Sequence, residues 1–168
     1  MIKTLYNILP QKTNEDIINI LCEHHWKIAY DGTISRKEKA FQPNVNFSFM
    51  TANDCEPIEQ SILNNYGQLI FDIITDKLKI DSNPFRIFWN MYYPDSYGEP
   101  QTGWNNPGMF SILYMLNTTD GYLQIEDTKI NDEQGKAIIF PSHLNHFGVG
   151  PKNSPVRFNL NMMFKFQE

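Results

Sequence analysis

The stretch Gly135-Lys136-Ala137-Ile138-Ile139-Phe140-Pro141-Ser142, followed by His146 and then Arg157, decides how the second half of the chain folds. A short apolar run between turn-forming glycine and proline residues is typical of a buried strand. Working outward from it, similar apolar segments separated by turn residues are found at 86–93, 110–116, 122–126, 129–130, 146–149 and 156–166. Many short strands between turns predict a β sandwich or barrel.

The first half of the chain predicts two helices that pack on the outside of this β structure. Thr13 or Asn14 can cap a helix over residues 14–28, where apolar residues recur at helical spacing. Pro57 suits the first turn of a second helix, predicted over residues 57–79.

Length, composition and charge bound the classes of function. The 168 residues are 41% hydrophobic and carry a formal net charge of −5. No linker or repeat divides them, so we expect one domain over 1–168, with a helical N-terminal part over 1–81 and a β core over 86–166. The negative charge argues against a nucleic-acid partner, because phosphate-binding surfaces are usually basic. No apolar run is long enough for a membrane span, so the expected location is the cytoplasm.

The order of motifs in the second half is more specific than its periodicity. Five motifs follow one another: Asn90-Met91-Tyr92, Gln101-Thr102-Gly103-Trp104, Gly121-Tyr122-Leu123, Phe140-Pro141-Ser142 with His146, and Arg157-Phe158-Asn159-Leu160-Asn161. This order resembles the prolyl-hydroxylase-like and dealkylating branches of the 2-oxoglutarate/Fe(II) oxygenases. The resemblance implies a mainly β (α+β) fold, a double-stranded β-helix or jelly roll with two supporting N-terminal helices. It also implies Fe(II) and 2-oxoglutarate as cofactors.

The resemblance assigns roles to individual residues. Family members bind iron through two histidines and one carboxylate, and a basic side chain deeper in the barrel pairs with the far carboxylate of 2-oxoglutarate. His146 matches the distal histidine, and Arg157 matches the anchor of the cosubstrate. Asn90 and Tyr92 match cosubstrate-binding positions of the dealkylating branch. Tyr92 and Tyr114 are the two candidate hydroxyls for Arg157, which we expect to point into the barrel and to contact at least one of them or a small carboxylate, because a buried cation needs polar partners.

The chain departs from the family at the first two metal ligands. Where the family has His-x-Asp, this sequence has Gln101-Thr102-Gly103. A carboxamide is a poor ligand for Fe(II) compared with imidazole, and glycine offers no side chain. His146 is then the remnant of the metal site, and we expect iron to bind weakly or not at all. Glu99, two residues before Gln101, is a candidate stand-in ligand.

Three functions follow from this pattern. The favoured one is a pseudoenzyme that acts as a binding or structural module, with a small carboxylate, a protein partner or a second copy of itself as ligand. The second is an active 2-oxoglutarate-dependent hydroxylase or dioxygenase, or one whose ligands were deliberately replaced. The third is a jelly-roll component of a virion, since phages carry many such genes; the location would then be the host cytoplasm or the virion.

Overall fold

The computed structural model describes residues 2–23, 27–28, 47–53, 56–57, 61–98, 100–102 and 108–166. Within these ranges the chain forms two helices, α1 (Gln11–Glu23) and α2 (Ile62–Leu78). The strands are β1 (Lys3–Leu5), β2 (Lys27–Ile28), β3 (Phe47–Asn53), β4 (Glu56–Pro57), β5 (Pro84–Tyr92), β6 (Gln101–Thr102), β7 (Met109–Met115), β8 (Tyr122–Ile125), β9 (Thr128–Asn131), β10 (Ala137–Pro141), β11 (Asn145–Val149) and β12 (Arg157–Lys165).

These strands form two antiparallel sheets. The large sheet has the order β1-β10-β7-β12-β5-β3-β2, with β4 paired to β3. The small sheet has the order β6-β11-β8-β9. Strands distant in sequence lie side by side in both sheets, as in a jelly roll, and the predicted mainly β fold is confirmed.

The large sheet is apolar on both faces. Ile112 and Leu160 lie on one face, in a buried cluster with Ile17 and Ile70 of the two helices. The neighbouring residue Leu113 lies on the other face, in a second cluster to which the small sheet contributes. Successive residues of a strand point to opposite faces. The side chains of 157, 159 and 161 on β12 therefore face the space between the sheets.

Helix α1 begins and ends earlier than predicted. The carbonyl of Pro10 accepts the backbone N–H groups of Thr13 and Asn14 at 3.1 and 3.2 Å, so Pro10 is the N-cap residue. The prediction of Thr13 or Asn14 as the cap was wrong, and Asn14 is instead buried inside the helix. Residues 27–28, predicted to end this helix, form β2 and pair with β3. Residues 24–26 lie outside the described part of the chain.

Helix α2 begins five residues later than predicted. Pro57 belongs to β4, where it pairs with Ala52 of β3. Ser61 is the N-cap residue, because its hydroxyl accepts the backbone N–H of Asn64 at 3.3 Å. The helix ends at Lys79, whose φ of 56° lies in the left-handed region. Ser61 therefore marks the start of the helix, although Pro57 would also suit a first turn.

The N-terminal half contributes strands as well as helices. β1 pairs with β10 at one edge of the large sheet, and β3 pairs with β5 on the other side. The N-terminal part that the sequence predicts as helical therefore also contains strands β1 to β4. In the described ranges, neither helix is long and apolar enough to cross a membrane.

Candidate functional site

His146 lies on β11 with its ring turned toward the large sheet. Its side chain is buried, and its ring packs edge-on against Phe140 with 4.8 Å between the ring centroids. The ring Nδ1 is 2.8 Å from the carbonyl oxygen of Leu144, so Nδ1–H donates there and Nε2 keeps its lone pair. Burial lowers the pKa of His146, although the Leu144 contact acts in the other direction, so the neutral form is favoured.

Gln101 is the direct cross-strand partner of His146 in the β6–β11 pair. Residues opposite each other in an antiparallel pair point to the same face. The structure thus brings together two of the positions that the resemblance assigns to metal. Gly103 and Glu99 lie outside the described residues.

The side chains at this place differ from those of an iron centre. In the described ranges, no cluster of three His, Cys, Asp or Glu side chains could hold a metal ion. His146 and Gln101 offer one imidazole and one neutral carboxamide, whereas a facial triad uses two histidines and a carboxylate. The described residues therefore do not fit the iron site of the family.

Arg157 begins β12 and points into the space between the sheets. Its Nε donates to Oδ2 of Asp132 at 2.6 Å, and both side chains are 1% exposed. Its guanidinium carbon lies 4.9 Å from the centre of the Tyr92 ring, which favours a cation–π interaction. Tyr92 is also its direct cross-strand partner on β5. Arg157 is therefore a fully buried, charge-compensated cation.

Two glycines, Gly148 on β11 and Gly121 just before β8, make room for Arg157. A Cβ on Gly148 would lie 2.7 Å from Nη1 of Arg157 and 2.8 Å from the hydroxyl oxygen of Tyr92. A Cβ on Gly121 would lie 3.0 Å from Cδ of Arg157. Glycine in or beside a strand marks a place where another group approaches closely. That signal was present in the sequence, but it does not identify the group.

Asp132 is the residue that sequence reasoning missed. It follows β9, and its Oδ2 also accepts the hydroxyl of Thr119 at 2.7 Å. Its backbone N–H donates to the carbonyl of Gly121 at 3.3 Å. It belongs to no motif of the resemblance and is 25 residues from Arg157. The one available signal was general: a buried arginine needs a charged or polar partner.

Arg157, Asn159 and Asn161 form a polar strip along the inner face of β12. Nδ2 of Asn90 donates to Oδ1 of Asn159 at 3.0 Å across the β5–β12 pair. Within the described part of the chain, Nη1 and Nη2 of Arg157, Nδ2 of Asn159 and Oδ1 of Asn161 have no hydrogen-bond partner. Buried polar groups are usually satisfied, so an ordered water or another polar group is expected at these four positions.

Of the two candidate tyrosines, Tyr92 contacts Arg157, as predicted, and Tyr114 does not. Tyr114 is fully buried on the helix-facing side of β7, and its hydroxyl donates to Oδ1 of Asn14 at 2.6 Å. Burial raises the pKa of Tyr114 to about 12, against the opposing effect of the Asn14 hydrogen bond. The residue ties α1 to the large sheet and takes no part in the polar strip.

Neither a protein-family model nor a curated protein sequence matches the chain. Its fold is similar to that of a prolyl-4-hydroxylase from Pseudomonas putida, at 13% identity and a TM-score of 0.67, covering 99% of this chain and 92% of that one. A viral collagen prolyl hydroxylase from Paramecium Bursaria Chlorella virus-1 shares 15% identity at a TM-score of 0.57, with 99% and 96% covered.

A third similar structure is the non-heme alpha ketoglutarate dependent epimerase SnoN of nogalamycin biosynthesis. It shares 6% identity at a TM-score of 0.70, over 98% of this chain and 78% of that one. Similarity at such low identity establishes the architecture. This chain has the fold of the 2-oxoglutarate/Fe(II) oxygenases, as the order of its motifs predicted.

Proposed function

We propose that the chain is an oxygenase-like protein that has lost two of three iron ligands and acts as a non-catalytic binding or structural module. The observation that carries this proposal is the pairing of His146 with Gln101 on the small sheet. At that place the family supplies a second imidazole, and this chain supplies a neutral carboxamide. Gly103 adds no side chain at the third position.

Weak iron binding follows from the chemistry of these groups. His146 is buried in its neutral form and presents one nitrogen, Nε2, to an ion. One imidazole and one uncharged oxygen cannot offset the hydration that Fe(II) would lose on entering the site. Affinity for divalent ions of this kind depends on ligand type, number and geometry.

The polar strip retains donors of the class that binds a small carboxylate, but at Arg157 an internal carboxylate already fills that role. Two nitrogens of Arg157 and one of Asn159 are buried donors that have no hydrogen-bond partner among the described atoms. Arginine nitrogens suit a carboxylate because they can donate two parallel hydrogen bonds. Asp132 already provides one negative charge there, so an incoming carboxylate must compete with it.

Restoring the metal ligands tests this function. The wild type and the Gln101→His/Gly103→Asp variant would be loaded anaerobically with Fe(II), dialysed and analysed for metal. We expect little iron in the wild type and about one equivalent in the double variant, lost again when His146→Ala is added. The Gln101→His single variant is the matched control. Stoichiometric iron in the wild type that depends on His146 would contradict the proposal.

Measuring turnover in the same samples distinguishes an active oxygenase from a non-catalytic protein. Succinate formation from 2-oxoglutarate should stay at background in the wild type and is the readout for the alternative of an active oxygenase. The virion-component alternative stays a prediction, to be tested by whether the chain copurifies with assembled particles.

A further inference from the structure

The partner of Arg157 is a carboxylate that belongs to the chain itself. Asp132 reaches Arg157 from the end of the β8–β9 hairpin, with 2.6 Å between Oδ2 and Nε and both side chains 1% exposed. The resemblance assigns Arg157 to an external carboxylate, that of the cosubstrate. In this structure an internal carboxylate already contacts the same guanidinium.

The turn before β8 holds Asp132 in position. Thr119 donates its hydroxyl to Oδ2 of Asp132 at 2.7 Å, and Gly121 accepts the Asp132 backbone N–H. Between these two residues, the Asp120 carboxylate accepts backbone N–H groups from residues 152–154, which precede β12. One short turn therefore fixes both Asp132 and the segment that leads to Arg157.

The hydrogen bonds that Asp120 accepts also change the pKa of its carboxyl group. Desolvation acts to raise its pKa, but the N–H donors of Asn153, Ser154 and Lys152 outweigh it and hold the pKa of the carboxyl well below its usual range. Asp120 is therefore charged at neutral pH, and its carboxylate holds the segment that precedes β12 through these hydrogen bonds.

The remaining guanidinium nitrogens are closed to solvent. Nη1 lies against Gly148, where a Cβ would approach to 2.7 Å, and the Tyr92 ring covers the guanidinium. A second carboxylate at this place would have to displace packed atoms and would bring its charge close to that of Asp132. Two carboxylates that share a site repel each other.

We propose that Asp132 is a built-in carboxylate that occupies the anion position at Arg157, so that the chain takes up a small external carboxylate there only when Asp132 is removed. The inference rests on the proposed function, in which the polar strip is retained while the metal site is lost. It makes Asp132 the residue that determines ligand specificity at the site.

Chemical rescue tests this inference. Asp132→Ala removes a group the size of formate, whereas Asp132→Asn keeps the volume and removes only the charge. Both variants and the wild type would be melted without metal in sodium formate, acetate or propionate, each compared with sodium chloride at equal ionic strength. Asp127→Ala is the matched control, because Asp127 is an exposed acid on the same hairpin.

We expect formate to raise the Tm of Asp132→Ala by about 3–6 °C over chloride when formate is present at roughly ten times its Kd. Acetate should act less and propionate not at all, because the space is small. The wild type, Asp132→Asn and Asp127→Ala should respond to formate as they do to chloride. Adding Arg157→Met to Asp132→Ala should remove the effect.

An Asp132→Ala variant that shows no formate-specific shift would overturn the inference. If that variant does not fold in chloride, its refolding yield in formate is the readout, and equal yields in both salts would overturn the inference. Saturable 2-oxoglutarate binding by the wild type that Arg157→Met abolishes would also overturn it. None of these measurements uses iron. A negative result here would therefore leave the proposal of a lost iron site untouched, and a negative result for iron would leave this inference untouched.

Discussion

The buried pair of Arg157 and Asp132 makes a quantitative prediction about stability. Arg157→Met leaves the Asp132 carboxylate buried, with the Thr119 hydroxyl still donating to its Oδ2. Asp132→Leu leaves the guanidinium against the ring of Tyr92 without its carboxylate. Each change leaves one buried charge without its partner, since both side chains are 1% exposed in the wild type. We therefore expect each single variant to lose about 3–5 kcal/mol of the free energy of unfolding.

The double variant separates loss of the pair from loss of packing. When both charges are replaced by apolar groups, no buried charge remains, so Arg157→Met/Asp132→Leu should be more stable than either single variant. The assay is urea unfolding of all four proteins, which gives the coupling energy from the double-mutant cycle. On the temperature scale, each single variant should lose roughly 6–20 °C in Tm.

The exposed pair of Lys12 and Asp16 is the control for this cycle. Their side chains are 75% and 47% exposed, and they lie one helical turn apart on α1. Solvent screens such a pair, so Lys12→Ala should leave the urea midpoint of unfolding almost unchanged. Single-variant losses at Arg157 and Asp132 that simply add in the double variant, within about 0.5 kcal/mol, would refute the reasoning, because independent sites behave in that way.

Three further predictions concern residues around the site. Gly148→Ala should lower the free energy of unfolding by about 1–3 kcal/mol in urea, because the added Cβ would overpack against Arg157. Gly98→Ala should lower it less, because its Cβ would meet the Tyr92 hydroxyl at an ordinary 3.4 Å. Folding lowers the pKa of Asp120, so the stability that its carboxylate adds to the folded state should be lost as the pH falls toward that pKa. Asp120→Asn should therefore flatten the acid side of a plot of Tm against pH. Folding raises the pKa of Tyr114 to about 12, so the stability that its neutral hydroxyl adds should be fully present below pH 10.0 and lost as the pH rises above it. Tyr114→Phe should remove this loss of Tm at alkaline pH.

The sequence predicted the β core well because its strands are short, apolar and separated by turn residues. It also predicted that Arg157 is buried inside the β structure, whereas the match of His146 to the distal ligand of the family stays a prediction. It could not predict which way Tyr114 points. β7 is buried on both faces, so its hydrophobicity does not alternate and the two faces cannot be told apart from sequence.

Asp132 escaped prediction for a different reason. Its partnership with Arg157 depends on how the β8–β9 hairpin folds over the start of β12, and no local pattern encodes a contact between such distant segments. The start of α2 was missed because two residues, Pro57 and Ser61, both suit a helix N-terminus. Only tertiary pairing of Pro57 with β3 decides between them.

Charge balance connects the metal side of the site with the Arg157 side. In a family site, the two positive charges of iron and the one of arginine are offset by a ligand carboxylate and by the two carboxylates of 2-oxoglutarate. On the proposed function this chain lacks the ion, the ligand carboxylate and the cosubstrate, which leaves Arg157 as a lone buried cation. A lone buried cation is costly, and one internal carboxylate is what neutrality then requires. Asp132 supplies it, so on the proposed function the missing iron ligands and the presence of Asp132 are two parts of one electrostatic arrangement.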